Sequence, residues 1–206
     1  RRARVVSVVL DALAAGRDRL VLTAVVRARR LEYPVAHSAV AREVGELEIS
    51  GTSVTTGYYR RPDANAELFR DGWLCTGDLA YTLEGRLVMC GRIKDVIVVG
   101  GRNVFPEDVE RAVGVLEGVR AGNVIAFGIE GDRGRESLVV VAESKADALV
   151  LVRKAVAERV REVVGVPAKD IVLVAPGTLP KTSSGKLQRS LCRRRYDDGQ
   201  LALVDA

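Results

Sequence analysis

The chain has 206 residues, of which 48% are hydrophobic and 29% charged, a balance that excludes disordered, collagen-like and low-complexity classes and suits one domain of ordinary size or two small ones. The net charge of +5 is uneven: residues 1–42 carry +6, residues 43–185 carry −3 and residues 186–195 carry +5, so an anionic partner would be drawn to Arg27-Ala28-Arg29-Arg30 or to KLQRSLCRRR, unless these runs are only solvated faces. Aromatic residues make up 4%, which weighs against the stacking platforms of a nucleic-acid binder, and no apolar run approaches the roughly 18 residues of a membrane span.

In chain order, Val5, Val9, Ala12 and Leu13 fall at helical spacing and predict a helix over residues 3–15. Asp11 cuts the apolar core that a signal peptide would need, and a cytoplasmic location is expected. Residues 20–26 read as a strand or as a continuation of that helix. In GELEIS, Leu47 and Ile49 alternate with glutamates as in a half-buried strand. A short helix is expected over residues 63–69, after Pro62, and two strands over residues 72–90 with a turn at Leu83, Glu84 and Gly85. Beyond Lys94 the pattern is DVIVV, the pair Gly100-Gly101, and a helix from Pro106 to about Glu117. Residues 122–129 and 137–143 predict neighbouring strands. Leu149, Val152, Val156, Val160 and Val163 place an amphipathic helix over residues 147–164, ended by Gly165 and Pro167. A strand over residues 171–175, a loop rich in Gly, Pro, Ser and Thr, and a basic helix complete the chain. Helices packed on one sheet make this an α+β class.

Three segments carry chemistry. LPKTSSGKLQR, residues 179–189, is a hydroxyl-rich loop that delivers Lys186, a point charge on a long stem suited to phosphate or carboxylate oxygens. It lacks the Walker A spacing, since position 180 is Pro and Leu187 follows the lysine; a plain polar surface loop explains it as well. TGDL, residues 76–79, with Gly91-Arg92 beyond the next strand, sets an Asp in a glycine turn where it could accept two ribose hydroxyls, or simply cap the turn. GRIKDVIVVGGRNVFPEDVER, residues 91–111, joins a charged connector, a glycine hairpin and a Pro-initiated helix with acids in its first turn. Cys75, Cys90 and Cys192 have no metal-type spacing and His37 stands alone, so free thiols and no metal centre are expected.

In order and spacing, GELEISGTSVTTGYYRRPDAN (residues 45–65), GWLCTGDL (72–79), GRIKDVIVVGGRNVFPEDVE (91–110) and PKTSSGK (180–186) resemble the late motifs of the adenylate-forming superfamily. That family comprises acyl-CoA synthetases, peptide-synthetase adenylation domains and luciferase-like enzymes. The resemblance covers roughly residues 43–195 and is strongest to fatty-acyl-AMP ligases, with fatty acyl-CoA synthetases close behind. It implies that residues 42–93 are the last β sub-barrel of a large adenylation domain. Residues 94–206 would then be its small mobile α+β domain, a three-stranded sheet with helices plus a hairpin, and residues 1–41 remain unassigned. In such enzymes a fatty acid attacks the α-phosphate of Mg-ATP to give acyl-adenylate and pyrophosphate. The acyl group then passes to CoA, or to the phosphopantetheine thiol of an acyl carrier protein or of a polyketide or peptide synthase module.

The same resemblance implies that Asp78 binds the ribose hydroxyls and Arg92 the ribose or phosphate. Lys186 would neutralise charge on the attacking carboxylate and the α-phosphate, Lys94 would be the hinge of the mobile domain, and Gly100 and Gly101 would line the path of the incoming thiol. The family's early phosphate-binding motif and its aromatic-x-Thr-Glu segment are not found, so the Mg2+ ligands and acyl pocket are expected elsewhere and the isolated chain is expected to be inactive. A non-catalytic or partner-binding module that keeps the fold is the competing reading, and nucleotide binding separates the two.

Overall fold

The computed structural model describes residues 7–12, 20–33, 42–84, 86–131, 135–145 and 147–204 and divides into two compact units, Arg1–Lys94 and Asp95–Ala206. The first unit is an antiparallel sheet. Its strands are β1 (Ser7–Ala12), β2 (Leu20–Tyr33), β3 (Arg42–Gly51), β4 (Phe69–Arg70), β5 (Trp73–Leu83) and β6 (Arg86–Arg92), with a short helix α1 (Pro62–Leu68) before β4. The order is β1-β2-β3-β5-β4, and β6 adds to β5. Two expectations fail here. The predicted helix over residues 3–15 is a strand where it is described: Ser7 pairs with Val25 and Ala12 with Leu20. The valine-rich run is apolar at nearly every position, so a helical spacing can be drawn through it by chance, while its β-branched side chains favour extended backbone. The rest of that prediction lies outside the described residues. The glutamates of GELEIS do not face solvent either. Glu46 is 5% and Glu48 0% exposed, because β3 lies between β2 and β5 and Arg70 of β4 donates to both carboxylates, at 3.4 and 2.8 Å.

The second unit holds β7 (Ile97–Val99) and β8 (Arg102–Val104), a hairpin, then α2 (Pro106–Val113), β9 (Val119–Glu130), β10 (Glu136–Ser144), α3 (Leu149–Val164), β11 (Asp170–Val174) and α4 (Arg189–Asp197). β10 lies between antiparallel β9 and parallel β11, the parallel pair being joined by the α3 crossover. Alternate residues of these strands enter two cores. Val124, Ala126, Leu138, Val140, Ile171 and Leu173 pack beneath α2 and α3; Ile125, Phe127, Val139, Val141, Val172 and Val174 pack against Leu179, Cys192 of α4 and Leu201. Cover on both faces explains why these strands read as continuous apolar runs rather than alternating ones.

Pro106 opens α2 with Glu107 and Asp108 in the first turn. The helix stops at Val113 rather than Glu117, since Gly114 caps it and Val115 beyond is 77% exposed, off the apolar stripe. α3 ends where expected, its C-cap Gly165 donating to the Arg161 carbonyl. No helix among the described residues is long and apolar enough to cross a membrane.

Candidate functional site

In the first unit, Asp78 on β5 and Arg92 at the end of β6 face each other across the ladder. Arg92 Nε donates to Asp78 Oδ1 at 2.9 Å and Nη2 to the Thr76 carbonyl at 3.3 Å. Thr76 Oγ1 in turn donates to the Leu47 carbonyl at 2.8 Å and accepts from the Asp78 amide at 3.0 Å, which fixes the Thr-Gly-Asp turn to β3. A bulge at the Leu79/Ala80 register shift lies just beyond and re-aims the two side chains relative to a regular ladder. The side chains are 35% and 49% exposed, so this pair adds little stability. Its effect is orientation: Arg92 holds one oxygen of the Asp78 carboxylate.

Near this turn, Glu46, Glu48 and Cys75 bring three possible ligand atoms within 4.8 Å of one another. Arg70 already supplies the cation there.

Lys94 lies in a single 3-10 turn, Ile93–Asp95, and is exposed. In the second unit, Gly100 and Gly101 form the tip of the β7–β8 hairpin with φ of +58° and +78°. Two consecutive left-handed residues are what a two-residue hairpin turn demands, so the fold itself accounts for the glycine pair.

Lys186 sits on a closed loop. Lys181 bridges to Leu187, Gln188 donates to the Pro180 carbonyl at 2.9 Å and Gly185 to the Thr182 carbonyl at 2.9 Å. Thr182 and Lys186 exchange two bonds, from the Thr182 amide to the Lys186 carbonyl at 2.8 Å and from the Lys186 amide to Thr182 Oγ1 at 3.1 Å. Gly185, at φ +81°, supplies the left-handed residue that lets the chain turn back on itself. The Lys186 side chain is exposed and, among the described residues, forms no ion pair within its unit.

Residues that sequence reasoning missed support this loop. Glu143 on β10 is fully buried; it accepts from Arg120 at 2.6 Å and from the Leu179 amide at 3.1 Å. Burial pushes its carboxyl up, but the Gly177 and Leu179 amides and Arg120 outweigh that and hold it below the ordinary carboxylate range. Lys181 Nζ donates to Asn123 Oδ1 at 2.6 Å. Arg189, counted above in the basic run, is instead half-buried among Asp95, Glu107 and Glu110. Glu110 is pushed above the ordinary range by burial, with Arg189 acting against the shift. One signal was available: Glu143 is the lone acid in the apolar run LVVVAE, where a carboxylate is buried only with partners.

An antiparallel sheet followed in sequence by a small α+β unit is the fold of the C-terminal parts of adenylation domains. No family model matches the chain. Over 155 residues it is 43% identical to the putative ligase Rv1013 of Mycobacterium tuberculosis, with 73% of this chain and 28% of that protein covered. Over 184 residues it is 33% identical to the long-chain-fatty-acid–AMP ligase FadD28 of the same organism, with 79% and 31% covered. Among solved structures, the fatty acyl-adenylate ligases from E. coli and L. pneumophila give a TM-score of 0.62 at 30% identity, covering 92% of this chain and 36% of that one. The McyG A-PCP structure with phenylalanyl-adenylate gives 0.69 at 28%, covering 91% and 34%. The chain belongs to the adenylate-forming superfamily and is similar to its fatty-acyl-AMP ligases and acyl-CoA synthetases. It spans about 30% of the length of the curated relatives it matches.

Proposed function

We propose that this chain supplies the ribose-binding pair and the adenylation lysine of an ATP-dependent enzyme that activates a fatty acid as its acyl-adenylate. The observation that carries the reading is Lys186, an ammonium exposed at the end of a loop whose backbone is held by hydrogen bonds on both sides. A cation already in place meets the charge that develops as a carboxylate attacks the α-phosphate and costs no reorganisation when the reaction occurs. Asp78, braced by Arg92, accepts the ribose hydroxyls and sets the position of the nucleotide. Mg2+ supplies charge neutralisation on the triphosphate, and no residue of this chain is proposed as its ligand. The acyl group then goes to CoA or to a carrier-protein phosphopantetheine, past Gly100 and Gly101, after the second unit reorients about Lys94. The reading places the reaction in the cytoplasm. It is supported by the similarity to FadD28 and to a 4-hydroxyphenylalkanoate adenylyltransferase of the same organism, 33% identical over 197 residues.

The test replaces the matching segment of a complete fatty-acyl-AMP ligase with residues 42–204 and measures fatty-acid-dependent ATP–pyrophosphate exchange. The chimera should exchange label, and Lys186→Ala should lower the rate by about a hundredfold or more, the scale of one lost transition-state charge contact. Equal rates in the two forms would overturn the assignment.

A further inference from the structure

We propose that Arg189 is a positioning residue for Lys186, and that it locks the Lys186 loop to Asp95, the residue after Lys94, so that both belong to one rigid piece. The functional meaning of this lock rests on the adenylation reading; the lock itself does not.

Arg189 is the first residue of α4, three positions beyond Lys186. Its Nη1 donates to Asp95 Oδ2, its Nη2 to Glu107 Oε1 at 3.2 Å and to both oxygens of Glu110 at 3.0 and 3.1 Å, and its Nε to Glu110 Oε1 at 3.3 Å. Glu110 is held from behind by the Ala126 amide at 3.0 Å. One guanidinium therefore joins the start of the unit, α2, and the end of the loop. The guanidinium side chain is 20% exposed, so these bonds form largely out of water, where charge-assisted bonds are strongest. Charge balance alone would not need an arginine, since three carboxylates would accept any cation. Reaching all three from one side chain needs the planar fork, which a lysine lacks.

The other end of the loop is fixed separately, by Leu179 on Glu143 and Lys181 on Asn123. Held at both ends, the loop cannot shift relative to Asp95 without breaking the Arg189 bonds.

The experiment follows amide hydrogen exchange of Gly185 and Lys186 in the 206-residue chain, with the core amides of β9 and β10 as the reference for global opening. Arg189→Lys keeps the charge and loses the fork. Exchange at Gly185 and Lys186 should rise about tenfold relative to the core amides, as expected when charge-assisted bonds that hold a loop are lost. Asp95→Asn removes one carboxylate, distant in sequence, and should raise exchange at the same two amides while leaving the core amides unchanged. The proposal is overturned if Arg189→Lys leaves the two amides as protected as before, or moves them only by the factor that the core shows. If Arg189→Lys does not fold, Asp95→Asn decides alone by the same criterion. Exchange needs no ATP, so this proposal and the adenylation reading fail separately.

Discussion

Tyr196 ties α4 to the sheet through a polar contact. Its phenol donates to Asp170 Oδ2 at 2.9 Å, and its ring meets Phe127 edge-on with centroids 5.6 Å apart. Burial, and then the bond to Asp170, push the phenol up to about 12 from its ordinary 10. A group raised in this way contributes stability that is complete below pH 10 and is lost as the pH climbs from 10 towards 12. Tyr196→Phe should therefore cost about 1 kcal/mol in urea unfolding at neutral pH, and the gap to the parent chain should narrow above pH 10. A gap that stayed constant across that range would separate the stabilisation from the phenol proton. Cys192, on the same helix and fully buried, is pushed up to about 12 by burial, which makes it a packing residue rather than a nucleophile.

At the scale of elements, the β7–β8 hairpin separates two explanations of the same glycines. A Cβ built on Gly101 meets nothing within 4 Å, so Gly101→Ala is opposed by its φ of +78° and not by crowding. The expected cost is about 1 kcal/mol with the fold kept. If the hairpin also lines the thiol path, the same methyl in the chimera should slow acyl transfer while pyrophosphate exchange holds; equal slowing of both steps would leave only the turn explanation. Legibility in the sequence followed the same division. The hairpin, the Pro106 start of α2 and the Gly165 end of α3 could be read because each depends on residues within one turn of the chain. β1 could not, because a short valine run satisfies helix and strand patterns alike and only pairing with Leu20–Val25 decides between them.

For the whole molecule, the two units carry separate cores. The second covers both faces of its sheet with its own helices and with residues that follow α4, including Leu201. Residues 95–206 should therefore unfold as a single cooperative transition when produced alone, measured by urea titration with two probes that coincide. Non-coincident or gradual loss of signal would mean that its core is incomplete without the first unit.

What the sequence by itself determined is the order of the motifs and the α+β class, which follow from local spacing and turn chemistry, and it offered Asp78, Arg92 and Lys186 as candidate site residues through the resemblance of those motifs. Tertiary structure alone decided which charges are available. Arg189 left the basic run to pair, half-buried, with three carboxylates, Glu46 and Glu48 turned inward onto Arg70, and Glu143 became the anchor of the lysine loop. Lys186, in the same stretch as Arg189, stayed exposed. Whether a charged side chain is solvated or paired depends on which distant segments meet it, and residue type does not record that.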